Sequence, residues 1–194
     1  MYQILFIFIL PVVLIYFRLV PIGWRYSLLA VSALLIYGIM RHERWSYKEI
    51  GFRTDNLKRV LRPYLYATIT GFVLLAVYDR YVGIDAPAGF SFYANLFLFF
   101  LPVSFLQEFG FRSFLMPRLK KIFGRTWEVI AANALLFALM HVIYPVPSIG
   151  LPLAFISGFG FAAMYYYYPN LILITLCHAV LNLTAVMLGF FHLQ

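Results

Sequence analysis

The stretch Phe105-Leu106-Gln107-Glu108-Phe109-Gly110-Phe111-Arg112 decides how the rest of the chain is read, because it sets a carboxylate and a guanidinium inside a long apolar run. Glu108 and Arg112 are one helical turn apart, so on a helix they share a face and can pair. A charged side chain at the centre of a bilayer costs about 2.5 to 3.5 kcal/mol even on the most lenient scale. A pair kept there is either a structural clasp or part of a site.

The composition around that stretch excludes a soluble globular domain. The 194 residues are 64% hydrophobic and 11% charged, with a mean hydropathy of +0.88, which is the profile of an integral membrane protein. Apolar runs lie at about 3–17, 24–40, 63–82, 92–116, 128–144, 151–168 and 171–191, each at or near the ~20 residues that a spanning helix needs. The expected fold is all-α: a polytopic transmembrane bundle of about seven spanning helices, forming a single membrane domain over 1–194. The first run has no basic flank and no small-residue cleavage site after it, so it reads as a retained helix and not a signal peptide.

The net charge of +8 does not point to nucleic acid, because the basic residues sit immediately beside apolar runs, where they act as topology signals. Counted by alternate loops, eleven basic residues fall in 41–62 and 118–128 together, against three in 18–25 and 79–90. The positive-inside rule then places the amino terminus in the cytoplasm and the carboxyl terminus outside. The 41–62 segment interleaves its charges with Trp45, Tyr47, Ile50, Phe52, Leu57 and Leu61; it suits a strip lying on the membrane surface and equally an ordinary solvated loop. Cys177 is the sole cysteine, so no internal disulfide forms.

Smaller features follow the same logic. Pro102 can bend the fourth helix and free a carbonyl near Glu108. Ala154, Gly158 and Ala162 recur every four residues as a close-packing face, and Tyr165 to Tyr168 read as an interfacial aromatic belt. Two further apolar runs carry polar groups at helical spacing. His141 follows Phe137 by one turn, with Asn133 one turn further back, and His178 precedes Asn182 by one turn. A carboxylate, two imidazoles, a carboxamide and a guanidinium on three helices, directed toward one cavity, can activate water and stabilise an oxyanion.

These residues resemble the CPBP intramembrane peptidases (the CAAX protease and bacteriocin-processing, or Abi, family), which include the type II CAAX prenyl proteases. The family's motifs E-E-x-x-x-R, F-x-x-x-H and H-x-x-x-N/D appear in order as Gln107-Glu108-x-x-x-Arg112, Phe137-x-x-x-His141 and His178-x-x-x-Asn182, within a motif-bearing core of about 92–191. The resemblance implies an endopeptidase that cuts a membrane-associated or lipidated substrate in or near the bilayer, with no nucleic-acid partner. By carry-over, position 107 holds the base that activates water and His141 helps hold that water. His178 and Asn182 polarise the scissile carbonyl, while Glu108 and Arg112 brace the helix. The family has also been described as metal-dependent; in that alternative Glu108, His141 and His178 would bind zinc. The metal-free glutamate mechanism is the favoured expectation, with no cofactor.

One position departs from the pattern. Gln107 stands where the family has its first glutamate, and a carboxamide is no general base. Either the chain is a natural variant or it carries a Glu-to-Gln change that preserves shape and removes activity; the second fits the intact remainder of the motifs. Competing expectations are a catalytically dead relative that binds membrane partners or confers immunity, and a proton-coupled carrier, since buried Glu, His and Arg also mark ion paths. The small size without an accessory domain fits a multi-pass protein of a prokaryotic plasma membrane. Prenylated tails, leader peptides and carboxyl-terminal sorting signals are all open as substrates.

Overall fold

In bilayer hydrocarbon no water is at hand for a stray amide, so a spanning chain must bond its backbone to itself as it goes. The computed structural model describes residues 2–82, 90–144 and 147–190, and these form seven helical runs with no strand among the described residues. We label them α1 (Tyr2–Tyr16), α2 (Arg25–His42), α3 (Leu57–Val82), α4 (the continuous rod 90–122), α5 (Thr126–Leu139), α6 (Pro147–Tyr167) and α7 (Leu171–Met187). The loop expected at 79–90 falls mostly outside the described residues, as does the end of the last run at 191.

Two segments, Ile22–His42 and Leu57–Tyr81, are long and apolar enough on their own to cross a bilayer, and α1, α5 and α7 are shorter apolar helices. The outer faces are strongly apolar: Leu34 is 69% exposed and Ile69 58%, a surface that suits lipid and not water. Inside, α5 packs closely on α6 and α7 on both α3 and α4, around a core that includes Phe111, Phe114, Phe137 and Ile174.

The fourth run is irregular, but not at Pro102, which sits within the regular helix Phe90–Glu108. The break comes immediately after Glu108, where Phe109–Leu115 is wound as a π-helix before the α-helix resumes at Met116–Ile122. Such π-turns cluster at functional sites because they re-aim side chains without ending the helix. Here the π stretch carries Arg112, and every residue in it is buried.

The 41–62 segment is neither a surface strip nor a free loop throughout. Between α2 and α3 it dips into the bundle: Ser113 and Tyr165 both donate to the Ile50 carbonyl, and Leu171 N–H donates to the Gly51 carbonyl at 2.8 Å. Gly51 has φ +82°, and a Cβ there would lie 2.0 Å from the Tyr165 hydroxyl, so glycine is required twice over. Tyr165 is therefore a buried tether and not a belt residue, whereas Tyr167 is exposed as a belt residue would be. Arg118 joins the same end, donating to Gln3 at 2.8 Å and to Glu43 at 2.7 Å. The amino terminus and the 41–56, 118–125 and 168–170 connections thus gather at one end of the bundle.

Candidate active site

The site is assembled on the α4 rod, whose inner face presents Ser104, Glu108 and Arg112 one turn apart, all with no exposed surface. α7 runs antiparallel to it and answers rung by rung. His178 Nδ1 donates to Glu108 Oε1 at 2.7 Å, and Asn182 Nδ2 donates to Ser104 Oγ at 3.4 Å. An ionised carboxylate can only accept, so the proton between Glu108 and His178 belongs on Nδ1. That leaves Nε2 as the ring nitrogen not held by Glu108.

Glu108's other oxygen faces Arg112, with Nε 3.2 Å from Oε2. The N–H is not aligned on that oxygen, so the contact is an ion pair without a full hydrogen bond. Arg112's terminal nitrogens are committed elsewhere: Nη1 donates to Asn133 Oδ1 at 3.0 Å and Nη2 to the Gly158 carbonyl at 3.3 Å. The guanidinium also lies over the Phe137 ring at 5.0 Å. A bare guanidinium in an apolar bundle would be prohibitively placed; this one meets a carboxylate, two oxygens and an aromatic face.

The small-residue face on α6 therefore does more than pack. A Cβ at Gly158 would come 2.8 Å from Phe137 Cδ1, so glycine lets α6 approach closely enough for its carbonyl to reach Arg112. Phe137 and Phe161 stand beside His178, with ring centroids 5.6 and 4.8 Å away. His141 lies beyond the last turn of α5, which ends at Leu139, and its Nδ1 is 3.0 Å from the Phe137 carbonyl. Phe137 thus touches both imidazoles.

Gln107 is placed differently from the remaining candidates. Adjacent residues on a helix point about 100° apart, and Gln107, 8% exposed, lines an apolar cavity between α4, α1 and α2. That cavity of about 70 Å³ has Phe8, Ile36, Gly110 and Met140 in its wall, and none of Glu108, His141, His178 or Asn182. The wall of this cavity takes in position 107 and not the Glu108–His178 pair, and a step of about 100° around α4 separates the two side chains.

The same geometry bears on the alternative zinc set of Glu108, His141 and His178. Among the described residues no three of His, Cys, Asp and Glu are grouped as a metal site requires. Both Glu108 oxygens already face His178 and Arg112.

Three contributors escaped the motif reading: Ser104, Gly158 and the side chain of Asn133. Asn133 sat at helical spacing from Phe137 in the sequence, but its partner on α4 is a tertiary contact that spacing does not reveal. Ser104 had the signal of standing one turn before Glu108.

A buried carboxylate, imidazole and guanidinium clasped between helices of a membrane bundle define a class: polytopic membrane proteins with a polar cluster below the lipid surface. Residues 89–184 match one family, Rce1-like, described as type II CAAX prenyl endopeptidase Rce1-like. Over that stretch, which carries all of the candidate residues from Gln107 to Asn182, the chain is similar to this family, in agreement with the motif resemblance. No curated protein and no solved structure matches the chain.

Proposed function

We propose that the protein is an intramembrane endopeptidase that hydrolyses a peptide bond of a membrane-associated or lipidated polypeptide without a metal. A glutamate at position 107 would take a proton from water while His141 holds that water. The hydroxide adds to the scissile carbonyl carbon, and the oxyanion is met by N–H donors from the Asn182 carboxamide and from His178, whose Nε2 must carry a second proton, as an imidazolium, because Nδ1 keeps its own toward Glu108. Collapse breaks the C–N bond, with the proton returned to the departing amine. Glu108 and Arg112 touch no reacting atom in this scheme and hold His178 in place.

The observation that carries the reading is the 2.7 Å contact between Glu108 and His178. It occupies Glu108 as an orienting group, so the chemistry of proton acceptance falls to position 107, where the family pattern has its other acid. With glutamine there, the chain is an inactive or nearly inactive form that keeps the shape of the site. The same commitment of Glu108 to two partners weighs against a proton-coupled carrier, which needs a carboxyl free to exchange its proton.

The basic loops gather at the end of the bundle that holds the amino terminus, which favours that end as the cytoplasmic one of a multi-pass membrane protein. The test is a cleavage assay of Gln107→Glu in detergent against lipidated and transmembrane candidate peptides, with His178→Ala in the same background. Loss of cleavage is expected; cleavage that survives without His178 refutes the site.

A further inference from the structure

Asn133 is fully buried at the centre of α5, where a carboxamide is costly unless each of its groups is paired. Its amide is doubly committed to one neighbour, the π stretch of α4. Nδ2 donates to the Phe111 carbonyl at 2.8 Å, and Oδ1 accepts from Arg112 Nη1 at 3.0 Å. The two bonds fix the orientation of the amide, because the carbonyl can only accept and the guanidinium can only donate. Phe111 and Arg112 are consecutive, so one side chain clamps both the backbone and the charged group at the point where the helix leaves α geometry. The Phe111 carbonyl also accepts from Met116 N–H, the bond that closes the π-turn.

We propose that Asn133 is a positioning residue of the site: by anchoring the guanidinium of Arg112 and the Phe111 carbonyl, it fixes Glu108 against His178. The chain of contacts runs Asn133, Arg112, Glu108, His178, with no water-exposed member. Released from Asn133, Arg112 can swing its terminal nitrogens onto Glu108 and draw the carboxylate away from the imidazole. Gly158 holds only one of those nitrogens and cannot prevent this alone. The kinetic consequence rests on the peptidase reading above; the structural consequence does not.

Two substitutions of similar size separate positioning from mere packing. Asn133→Leu removes both bonds. Asn133→Asp keeps an acceptor for Arg112, now one that can be charged, and loses the donor to Phe111. In the Gln107→Glu background, Asn133→Leu should lower kcat at least about tenfold, as small displacements of a catalytic group do, with KM within about twofold. Asn133→Asp should retain most of kcat. In the chain as written, labelled with ¹⁵N-histidine in micelles, the downfield proton on His178 Nδ1 should be lost in Asn133→Leu and kept in Asn133→Asp. If Asn133→Leu gives no folded protein, Asn133→Ala takes its place. An unchanged His178 signal in a merely less stable Leu or Ala variant overturns the proposal, as does an equal loss of kcat in the Leu and Asp forms. Absence of any cleavage by the Gln107→Glu parent counts against the peptidase reading alone, and the His178 signal then judges Asn133 by itself.

Discussion

Replacing Arg112 by leucine should unfold much of what holds the site. The guanidinium is fully buried and meets Glu108 at 3.2 Å, Asn133 at 3.0 Å and the Gly158 carbonyl at 3.3 Å. Leucine fills much of the stem's volume but leaves the Glu108 carboxylate with His178 as its one partner and strands two acceptors. Breaking a buried pair by removing one member costs about 3 to 5 kcal/mol, and each stranded acceptor adds roughly 1 to 3 kcal/mol, less than additively. Against a total stability of about 5 to 15 kcal/mol, that is a large fraction. The midpoint of thermal unfolding in detergent should fall by roughly 10 °C or more, at about 2 to 4 °C per kcal/mol for a chain of this size. Removing the opposing charge as well, in Glu108→Gln with Arg112→Leu, should recover part of the loss, because the penalty comes mostly from the uncompensated ion. An Arg112→Leu protein as stable as the parent, or a double variant worse than the sum of its singles, would refute the clasp.

Gly158→Ala puts a methyl 2.8 Å from Phe137 Cδ1 and should cost about 1 to 3 kcal/mol through overpacking, read as a lower unfolding midpoint; an unchanged midpoint means α5 and α6 are not in close contact there. At the loop end, Glu43 accepts from Trp45 Nε1 at 2.9 Å and from Arg118. Burial works to raise its pKa, but the bonds from Arg118 and Trp45 outweigh it and hold it below the ordinary 4.5. A carboxylate depressed in the folded state contributes stability above its unfolded pKa and loses it as pH falls through the folded one. With Trp24→Phe and Trp127→Phe leaving Trp45 as the single emitter, its fluorescence should therefore change with a midpoint below 4.5, and a midpoint above that value contradicts the contact. Finally, cleavage by Gln107→Glu should survive strong chelators, and one tightly bound zinc per chain would require His141, His178 and a carboxylate to regroup.

How far the sequence could be read depended on whether a feature is local. Glu108 and Arg112 announced themselves because charges inside an apolar run are rare, and their one-turn spacing led directly to the pair. The helical runs were legible for the same reason, as uninterrupted apolar lengths. The π stretch Phe109–Leu115 was not, since its residues look like any apolar helix and the extra residue per turn is imposed by what packs on it. The clasp on Asn133 and Gly158 joins residues 21 and 46 positions from Arg112, and helical spacing carries no information about partners on another helix. Ile50 could not be seen because its contribution is a backbone carbonyl. The separation of Gln107 from Glu108 was implicit in their adjacency, yet what lies on each side, α1 and α2 against α7, required the packing to be known.

The most direct test of the account is a single comparison at position 107. The protein as written and its Gln107→Glu variant are assayed side by side, at equal folded concentration, on the same membrane-embedded peptide. Because the amide keeps the shape of the acid and loses its capacity to accept a proton, the account predicts that both bind the peptide alike and that only the glutamate form cleaves it. Equal rates from the two would contradict it, and would move the working base to Glu108 or out of the first motif altogether.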